Sequence, residues 1–187
     1  MTATEDPDLV DLIIADHRDF ERMFVELQEG VQPPEYRRRL LDHLIAGLIR
    51  HAVAEEQLVY PTAIDKAADG KDMVEHELEE HSEAEQLMKD LEAVEPTDPA
   101  FDRLVGELID DLRHHFEEEE GKLLPALREA CDRDELVTLG KSMALAKKMA
   151  PTRPHPSAPD TPPANLVVGP GLGLIDRIRD VLGNRPS

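Results

Sequence analysis

The chain has 187 residues, with 21 Lys and Arg against 41 Asp and Glu, and therefore a formal net charge of −20. This charge argues against binding to nucleic acid or to an anionic membrane surface, because both require a basic protein surface. Aromatic residues are only 3% of the chain and hydrophobic residues 40%, so the core must be aliphatic. A single cysteine, Cys131, excludes an internal disulfide and any site built from several thiolates.

Four segments carry apolar residues at the spacing of an amphipathic helix. The four stripes, in chain order, are Leu9, Ile13, Phe20, Phe24 and Leu27; Leu41, Leu44, Leu48, Ala52, Leu58 and Val59; Val74, Leu78, Ala84, Met88 and Leu91; and Phe101, Leu104, Leu108, Leu112, Phe116 and Leu123. Glycine and proline residues separate consecutive stripes, as expected of short turns. The pattern predicts an all-α fold, an antiparallel up-down-up-down four-helix bundle.

The composition changes after the fourth stripe. A shorter amphipathic segment from about Asp134 to Met149 predicts an extra helix, and a proline-rich stretch that cannot continue a helix begins at Pro151. We therefore divide the chain into a bundle domain at 1–150, with its core at 8–130, and a tail at 151–187. This tail combines a Pro-rich linker with a short amphipathic helix, which docks on the bundle or contacts a partner.

The location and assembly of the protein follow from simple features. No apolar run approaches the roughly 18 residues of a membrane span, and the N-terminal residues are acidic rather than a secretory signal. We therefore expect a cytoplasmic protein with no membrane or nucleic-acid partner. We expect it to be a monomer or a weak homo-oligomer.

Polar residues interrupt each apolar stripe on its inward face. In chain order, these residues are His17, His51, Glu55, His81, His115 and Glu119. Burying an unpaired polar ring or charge costs several kcal/mol, so such groups are paired with one another or bound to metal. Because these residues cluster, we expect a polar or metal-binding layer inside the bundle.

The spacing of these residues reveals an internal repeat. His17 recurs at His81, and His51-x-x-x-Glu55 recurs at His115-x-x-x-Glu119, each with an offset of 64 residues. The same offset relates Glu56 to Glu120 and Pro61 to Pro125, so the second half is a degenerate copy of the first. Both prolines are predicted to kink or end their helices.

The histidines are also predicted to lie at one height. Residues on adjacent antiparallel helices are level when their midpoint falls in the connecting turn. The midpoint of His17 and His51 is Pro34, and the midpoint of His81 and His115 falls between Pro96 and Pro99. Each glutamate lies one turn beyond its histidine on the same face.

One buried layer with four imidazoles and two carboxylates suits two metal ions bridged by the carboxylates. Nitrogen and oxygen ligands without thiolate favour iron, manganese or zinc over soft metals. The alternative is a buried His/Glu hydrogen-bond network without metal.

The motifs His17, His51-Ala-Val-Ala-Glu55, His81 and His115-Phe-Glu-Glu-Glu119 resemble those of the hemerythrin-like proteins, cation-binding domains named for their His-His-Glu signature. The resemblance covers about residues 8–130. It implies a four-helix bundle that holds two iron ions joined by an oxo or hydroxo bridge. It further implies two sets of ligands: His17, His51 and Glu55 for one iron, and His81, His115 and Glu119 for the other.

His76 is a further candidate ligand, because the oxygen-carrying hemerythrins have a second histidine one turn before the third-helix ligand. Here His76 precedes His81 by five residues, which places it about 140° around an ideal helix. It joins the site only if a local distortion such as a π-bulge rotates it inward, and otherwise lies beside the site or in solvent. Glu21 and Glu85 either orient imidazoles or form ordinary surface pairs.

The resemblance leaves two classes of function open. The first is a non-haem di-iron protein that binds or senses O2, NO, peroxide or iron itself, or acts in oxidative-stress defence. The second is an oxidoreductase that decomposes hydrogen peroxide, which requires a proton donor beside the metals. His76, Glu21 and Glu85 are the residues that could supply that proton.

Overall fold

The computed structural model describes residues 6–150, whose regular structure is entirely helical. The helices are α1 (Leu9–Glu29), α2 (Pro34–Ala54), α3 (Tyr60–Lys66), α4 (Gly70–Glu92), α5 (Pro99–Glu118), α6 (Leu124–Ala130) and α7 (Arg133–Met149). A π-helical turn at Glu55–Val59 joins α2 to α3, and another at Glu119–Leu123 joins α5 to α6. The four long rods are therefore α1, α2–α3, α4 and α5–α6, and the predicted four-helix bundle is confirmed.

The helix boundaries follow local sequence signals. The Asp8 carboxylate accepts a hydrogen bond from the backbone N–H of Asp11 and caps α1, which ends at Gly30 in the left-handed conformation (φ 66°). Pro34 begins α2, where its missing N–H costs nothing. Asp98 caps α5 by accepting from the backbone N–H of Ala100. These signals produce the short turns that make consecutive rods antiparallel.

The core consists of two apolar clusters. One joins α1, α2, α4 and α5 around residues such as Phe24, Leu44 and Leu108, and we call it the turn-side cluster. The other joins α1, α3, α4, α6 and α7 around residues such as Leu9 and Leu127, and we call it the α7-side cluster. Along each rod, the inward histidine lies where the chain passes from one cluster to the other. The polar layer therefore separates two dry regions.

Helix α7, which follows the four rods, packs against the bundle. Leu136 and Met143 of α7 are buried in the α7-side cluster. Gly140 lies so close to the start of α1 that a Cβ there would be 3.1 Å from the backbone nitrogen of Leu9. The extra helix predicted after the fourth stripe is thus part of the core, whereas the predicted tail at 151–187 lies outside the described residues.

The two internal prolines do not end their rods, which excludes one of the two predicted effects. Helices α3 and α6 continue past Pro61 and Pro125 to Lys66 and Ala130. The irregularity is a π-helical turn directly before each proline, where the backbone hydrogen bonds widen and the missing proline N–H is accommodated. Among the helices of residues 6–150, none has both the length and the apolar character needed to cross a membrane.

Candidate metal centre

Four imidazoles, one from each rod, point their Nε2 atoms towards the middle of the bundle. The Nε2 atoms of His17 and His51 lie 3.2 Å apart. The Nε2 atoms of His81 and His115 lie 3.3 Å apart. Each pair joins two helices of one sequence repeat, so the bundle contains two histidine pairs related by the repeat.

Two fully buried carboxylates lie between the histidine pairs. Glu55 approaches both pairs, with Oε1 2.8 Å from Nε2 of His51 and Oε2 3.5 Å from Nε2 of His81. Glu119 places Oε2 3.3 Å from Nε2 of His17, a histidine of the other repeat. The resemblance assigned Glu119 to the His81–His115 pair. In the structure, Glu119 groups with His17, His51 and Glu55, while Glu55 also groups with His81 and His115.

The π-helical turns keep the site residues on the same face of each rod as the residues of the α7-side cluster. Four-residue steps in an α-helix overshoot a full turn by about 40°, so a stripe at that spacing drifts around the helix. Each π turn begins at a site glutamate and rotates the chain less per residue, which offsets the drift. The buried series continue in four-residue steps through the turn, as His51, Glu55, Val59 and Ala63, and as His115, Glu119, Leu123 and Leu127.

Each inward histidine places its other ring nitrogen against a carboxylate on the outer side of the layer. The Nδ1 atoms of His17, His51, His81 and His115 lie 2.9, 3.0, 3.4 and 2.9 Å from Glu120, Asp16, Glu56 and Glu80, respectively. We call these four side chains the outer carboxylates. They obey the 64-residue repeat as well, because Asp16 corresponds to Glu80 and Glu56 to Glu120. A carboxylate that holds Nδ1–H leaves the Nε2 lone pair directed inward, which is the arrangement that metal-binding histidines require.

The outer carboxylates link the site to the rest of the molecule. Asp16 also accepts a hydrogen bond from Nζ of Lys147 on α7 at 2.6 Å, so α7 is linked to His51 through one carboxylate. Glu120 is held by a two-pronged contact from Arg18, with distances of 2.9 and 2.6 Å. These contacts fix the outer carboxylates and, through them, the orientation of the rings.

The His81–His115 side carries two further polar groups that have no counterpart on the His17–His51 side. The Tyr60 hydroxyl lies 3.1 Å from Nε2 of His81, and the Glu77 Oε2 atom lies 3.0 Å from Nδ1 of His115. Their equivalents in the repeat, Leu124 and Ile13, are apolar. The two halves of the site are therefore chemically different.

The protonation of the site reflects the excess of buried carboxylates. Burial lowers the pKa of His51, but Glu55 and Asp16 outweigh that effect and raise the pKa to about 9. At His115, the hydrogen-bonded Glu77 and the other nearby carboxylates likewise outweigh burial and hold the pKa well above its usual range. Burial and the charges of the neighbouring histidines hold the pKa of His81 well below its usual value. In the absence of metal, protonated His51 and His115 thus offset part of the carboxylate charge around the site.

The surroundings of the central carboxylates, Glu55 and Glu119, show whether the donor set fits a cation. None of the four side-chain oxygens of Glu55 and Glu119 accepts a hydrogen bond of proper geometry, although both residues are completely buried. Buried carboxylate oxygens without donors are strongly disfavoured unless a cation lies against them. Oxygen and imidazole nitrogen are also compatible ligands for one metal. The residues present therefore fit a metal centre.

The structure separates His76 from this centre. Its side chain is half exposed, and its Nε2 lies 2.8 Å from Glu118 and 3.6 Å from Glu80. The π turns that occur in this chain begin at the two site glutamates, and α4 is regular where it carries His76. The distortion needed to bring His76 inward is therefore missing from α4, and as placed His76 lies outside the central group.

The sequence did not identify the outer carboxylates, and for Glu21 and Glu85 it left open whether they orient imidazoles or form surface pairs. Glu21 contacts the guanidinium of Arg113 rather than an imidazole. The signal that could have identified Asp16 and Glu80 is the repeat itself, because they share the 64-residue offset and each directly precedes His17 or His81. A carboxylate one residue before a buried histidine lies on the neighbouring face, where it reaches the imidazole of the adjacent rod.

The fold and the site together are those of a helical-bundle protein whose clustered histidines and glutamates fit a cation site. The chain belongs to the hemerythrin family, because the model of the hemerythrin HHE cation binding domain matches residues 8–127. This match confirms the resemblance in the motifs and makes metal binding a property of the family to which the chain belongs.

Individual relatives agree with this assignment. The chain is 29% identical over 178 residues to an uncharacterized hemerythrin-like protein of Schizosaccharomyces pombe, covering 94% of this chain and 87% of that protein. It is also 29% identical over 124 residues to a DNA nickase of Nostoc, covering 66% of this chain but only 34% of the nickase. A hemerythrin HHE cation binding domain-containing protein of Mycobacterium kansasii has a similar crystal structure, with a TM-score of 0.67 and 20% identity. That comparison covers 92% of this chain and 99% of the other, and supports the fold.

Proposed function

We propose that this protein is a non-haem di-iron protein that interacts with O2, NO or peroxide, in binding, sensing or oxidative-stress defence. The proposed ligands are His17, His51, Glu55, His81, His115 and Glu119. The observation that carries the proposal is the pair of buried glutamates whose oxygens lack hydrogen-bond donors and lie among four inward Nε2 atoms. Two cations bridged by an oxo or hydroxo group would satisfy these oxygens.

The donor set is compatible with iron. Imidazole and carboxylate ligands suit iron, manganese and zinc, and the free cysteine of the chain belongs to neither of the central groupings. Bound iron would supply redox chemistry and a coordination position for a small ligand. The outer carboxylates would hold the imidazoles in the correct tautomer, and the two apolar clusters would keep bulk water away from the layer.

A second function, decomposition of hydrogen peroxide, is favoured by the Tyr60 hydroxyl and the Glu77 carboxyl group, which lie against the two histidines of the His81–His115 side. Burial and the surrounding carboxylates hold the pKa of Tyr60 well above its usual value, so its hydroxyl keeps its proton beside His81. Burial also raises the pKa of Glu77, which lies against His115. Proton donors within hydrogen-bond reach are what acid catalysis on a bound peroxide requires.

The proposal is tested by supplying ferrous iron to the purified protein and counting the iron retained after desalting. We expect about two iron ions per chain, with visible absorption that changes on adding O2, NO or peroxide. His51→Ala should lose iron, whereas His43→Ala should retain it, because His43 is exposed and outside the described metal-binding groups. A correctly folded protein that retains no iron under these conditions would contradict the proposal.

The two functions are separated by measuring oxygen release from hydrogen peroxide. Turnover that falls at least tenfold in Tyr60→Phe, with the iron content unchanged, would select the enzyme. Reversible spectral change without turnover would select the binding or sensing protein.

A further inference from the structure

Two phenyl rings flank the histidines of one half of the site, and the equivalent positions of the other half carry alanine. Phe116 stacks on His17 with ring centroids 4.0 Å apart, and Phe20 meets the edge of His51 at 5.4 Å. The repeat partners of Phe116 and Phe20 are Ala52 and Ala84. The His81–His115 half therefore has methyl groups where the His17–His51 half has phenyl rings.

The backbone beside the ring of Phe20 shows the same asymmetry. A Cβ on Gly47 would lie 2.9 Å from Cε1 of Phe20, so the glycine leaves room for the phenyl ring. The repeat partner of Gly47 is Asp111. The second half thus lacks both the ring and the glycine against which it packs.

A cavity of about 80 Å³ occupies the corresponding place in the second half. The buried side chains of Ala84, Leu112 and His115 line it together with His81, and the exposed Glu83 and Asp111 line it as well. It therefore runs from the surface to the two histidines. The His81 side chain is 12% exposed, whereas that of His17 is fully buried.

We propose that a small uncharged ligand enters the centre through this cavity and binds on the His81–His115 side. The inference rests on the proposed function, since it assigns the ligand position at that same site. The volume accommodates a diatomic molecule or hydrogen peroxide, given about 30 Å³ for a water in the liquid. Ala84 keeps the route open, and Phe20 closes the equivalent route in the first half.

The charges around the cavity favour an uncharged ligand over an anion. Glu80, Glu83 and Asp111 contribute carboxylates to its lining, and the exposed His114 is the remaining titratable group there apart from the site histidines. An anion such as azide must pass these carboxylates and is repelled, and salt screens that repulsion. Azide should therefore bind more slowly than NO and should bind faster as ionic strength rises.

The test compares the rate of NO binding to the iron-loaded wild type, Ala84→Phe and Phe20→Leu by stopped-flow spectroscopy. Ala84→Phe places in the second half the ring that Phe20 supplies in the first, and should slow binding at least tenfold. Phe20→Leu enlarges the space in the first half and should leave the rate within twofold. Unchanged binding in Ala84→Phe with faster binding in Phe20→Leu would overturn the proposal.

Two further measurements separate this inference from the proposed function. The iron content of each variant is counted first, because a chain without iron contradicts the proposed function and not the route. If Ala84→Phe does not load iron, Ala84→Leu provides a smaller plug, and an unchanged NO rate in that variant overturns the route. In metal-free crystals under xenon, we expect density in the cavity of the wild type and none in Ala84→Leu, while density beside His17 instead contradicts the proposal.

Discussion

Glu55 and Glu119 occupy equivalent positions of the repeat, but their pKa values shift in opposite directions. Burial and the charge of Glu119 raise the pKa of Glu55. Burial acts in the same direction on Glu119, but the contact with His17 and the charges of nearby histidines outweigh it and lower the pKa. In the metal-free site, ionisation therefore costs more at Glu55 than at Glu119, although both would be ligands.

This difference predicts opposite effects of two conservative substitutions. Glu55→Gln should stabilise the metal-free protein by about 1 kcal/mol, because it removes a buried charge that the fold disfavours. Glu119→Gln should destabilise it by about 1–3 kcal/mol, because the neighbouring imidazoles lose their partner. Both should lower iron affinity at least about 100-fold. Urea unfolding in the presence of a chelator measures the change in the free energy of unfolding for each variant. Equal changes of the same sign in the two variants would contradict this account.

The pKa of His51 predicts how metal affinity depends on pH. A histidine whose pKa rises to about 9 on folding stabilises the metal-free protein fully below its unfolded value near 6.5. That contribution is lost as the pH rises from about 6.5 to 9. Metal must displace the same proton, so affinity should increase over this range and binding should release protons. Calorimetric titration in buffers of different ionisation enthalpy counts the protons released, and a count of zero at pH 7 would contradict the prediction.

At the scale of the elements, the close contact of α7 with α1 depends on one glycine. A side chain at Gly140 would push against the backbone of Asp8 and Leu9, whereas a Cβ at Gly106 on α5 meets no atom within 4 Å. Gly140→Val should therefore destabilise the protein by about 1–3 kcal/mol. The matched variant Gly106→Val should be neutral or slightly stabilising, because glycine is a poor helix former. Thermal unfolding of both variants decides the matter, and equal melting temperatures would show that α7 does not dock as described.

The long helices were predictable because each signal was local and repeated. The inward stripes, the turns and the common height of the four histidines all follow from periodicity and from counting residues between turns. The π turns were not predictable from that pattern, because Pro61 and Pro125 equally allow a kink, a helix end or a widened turn. The sequence left the place of His76 open for a related reason, because a distortion of α4 near His76 has no sequence signature of its own.

At the scale of the whole molecule, the repeat predicts the symmetric features and conceals the asymmetric ones. It gave six candidate ligands, and the structure brings those six side chains together. The enclosure of His17 by Phe116 and the open cavity beside His81 depend on residues at which the two halves differ. Such residues resemble ordinary core positions in a single sequence, because phenylalanine and alanine both pack well in helical bundles. Only contacts between helices distant in sequence distinguish an enclosed site from an open one.

The polar layer also governs the stability of the whole molecule. It lies between the turn-side and α7-side clusters, and all four rods contribute to both, so we expect the metal-free protein to remain folded but weakened at this layer. Iron that binds only the native state at 1,000 times its dissociation constant adds about 4 kcal/mol to the free energy of unfolding. Urea unfolding with and without ferrous iron under argon should show this gain in the wild type. The double variant Glu55→Gln/Glu119→Gln keeps the size of both side chains and should show none. An equal gain in the variant would mean that the metal acts elsewhere on this acidic chain, and that the central glutamates are not its ligands.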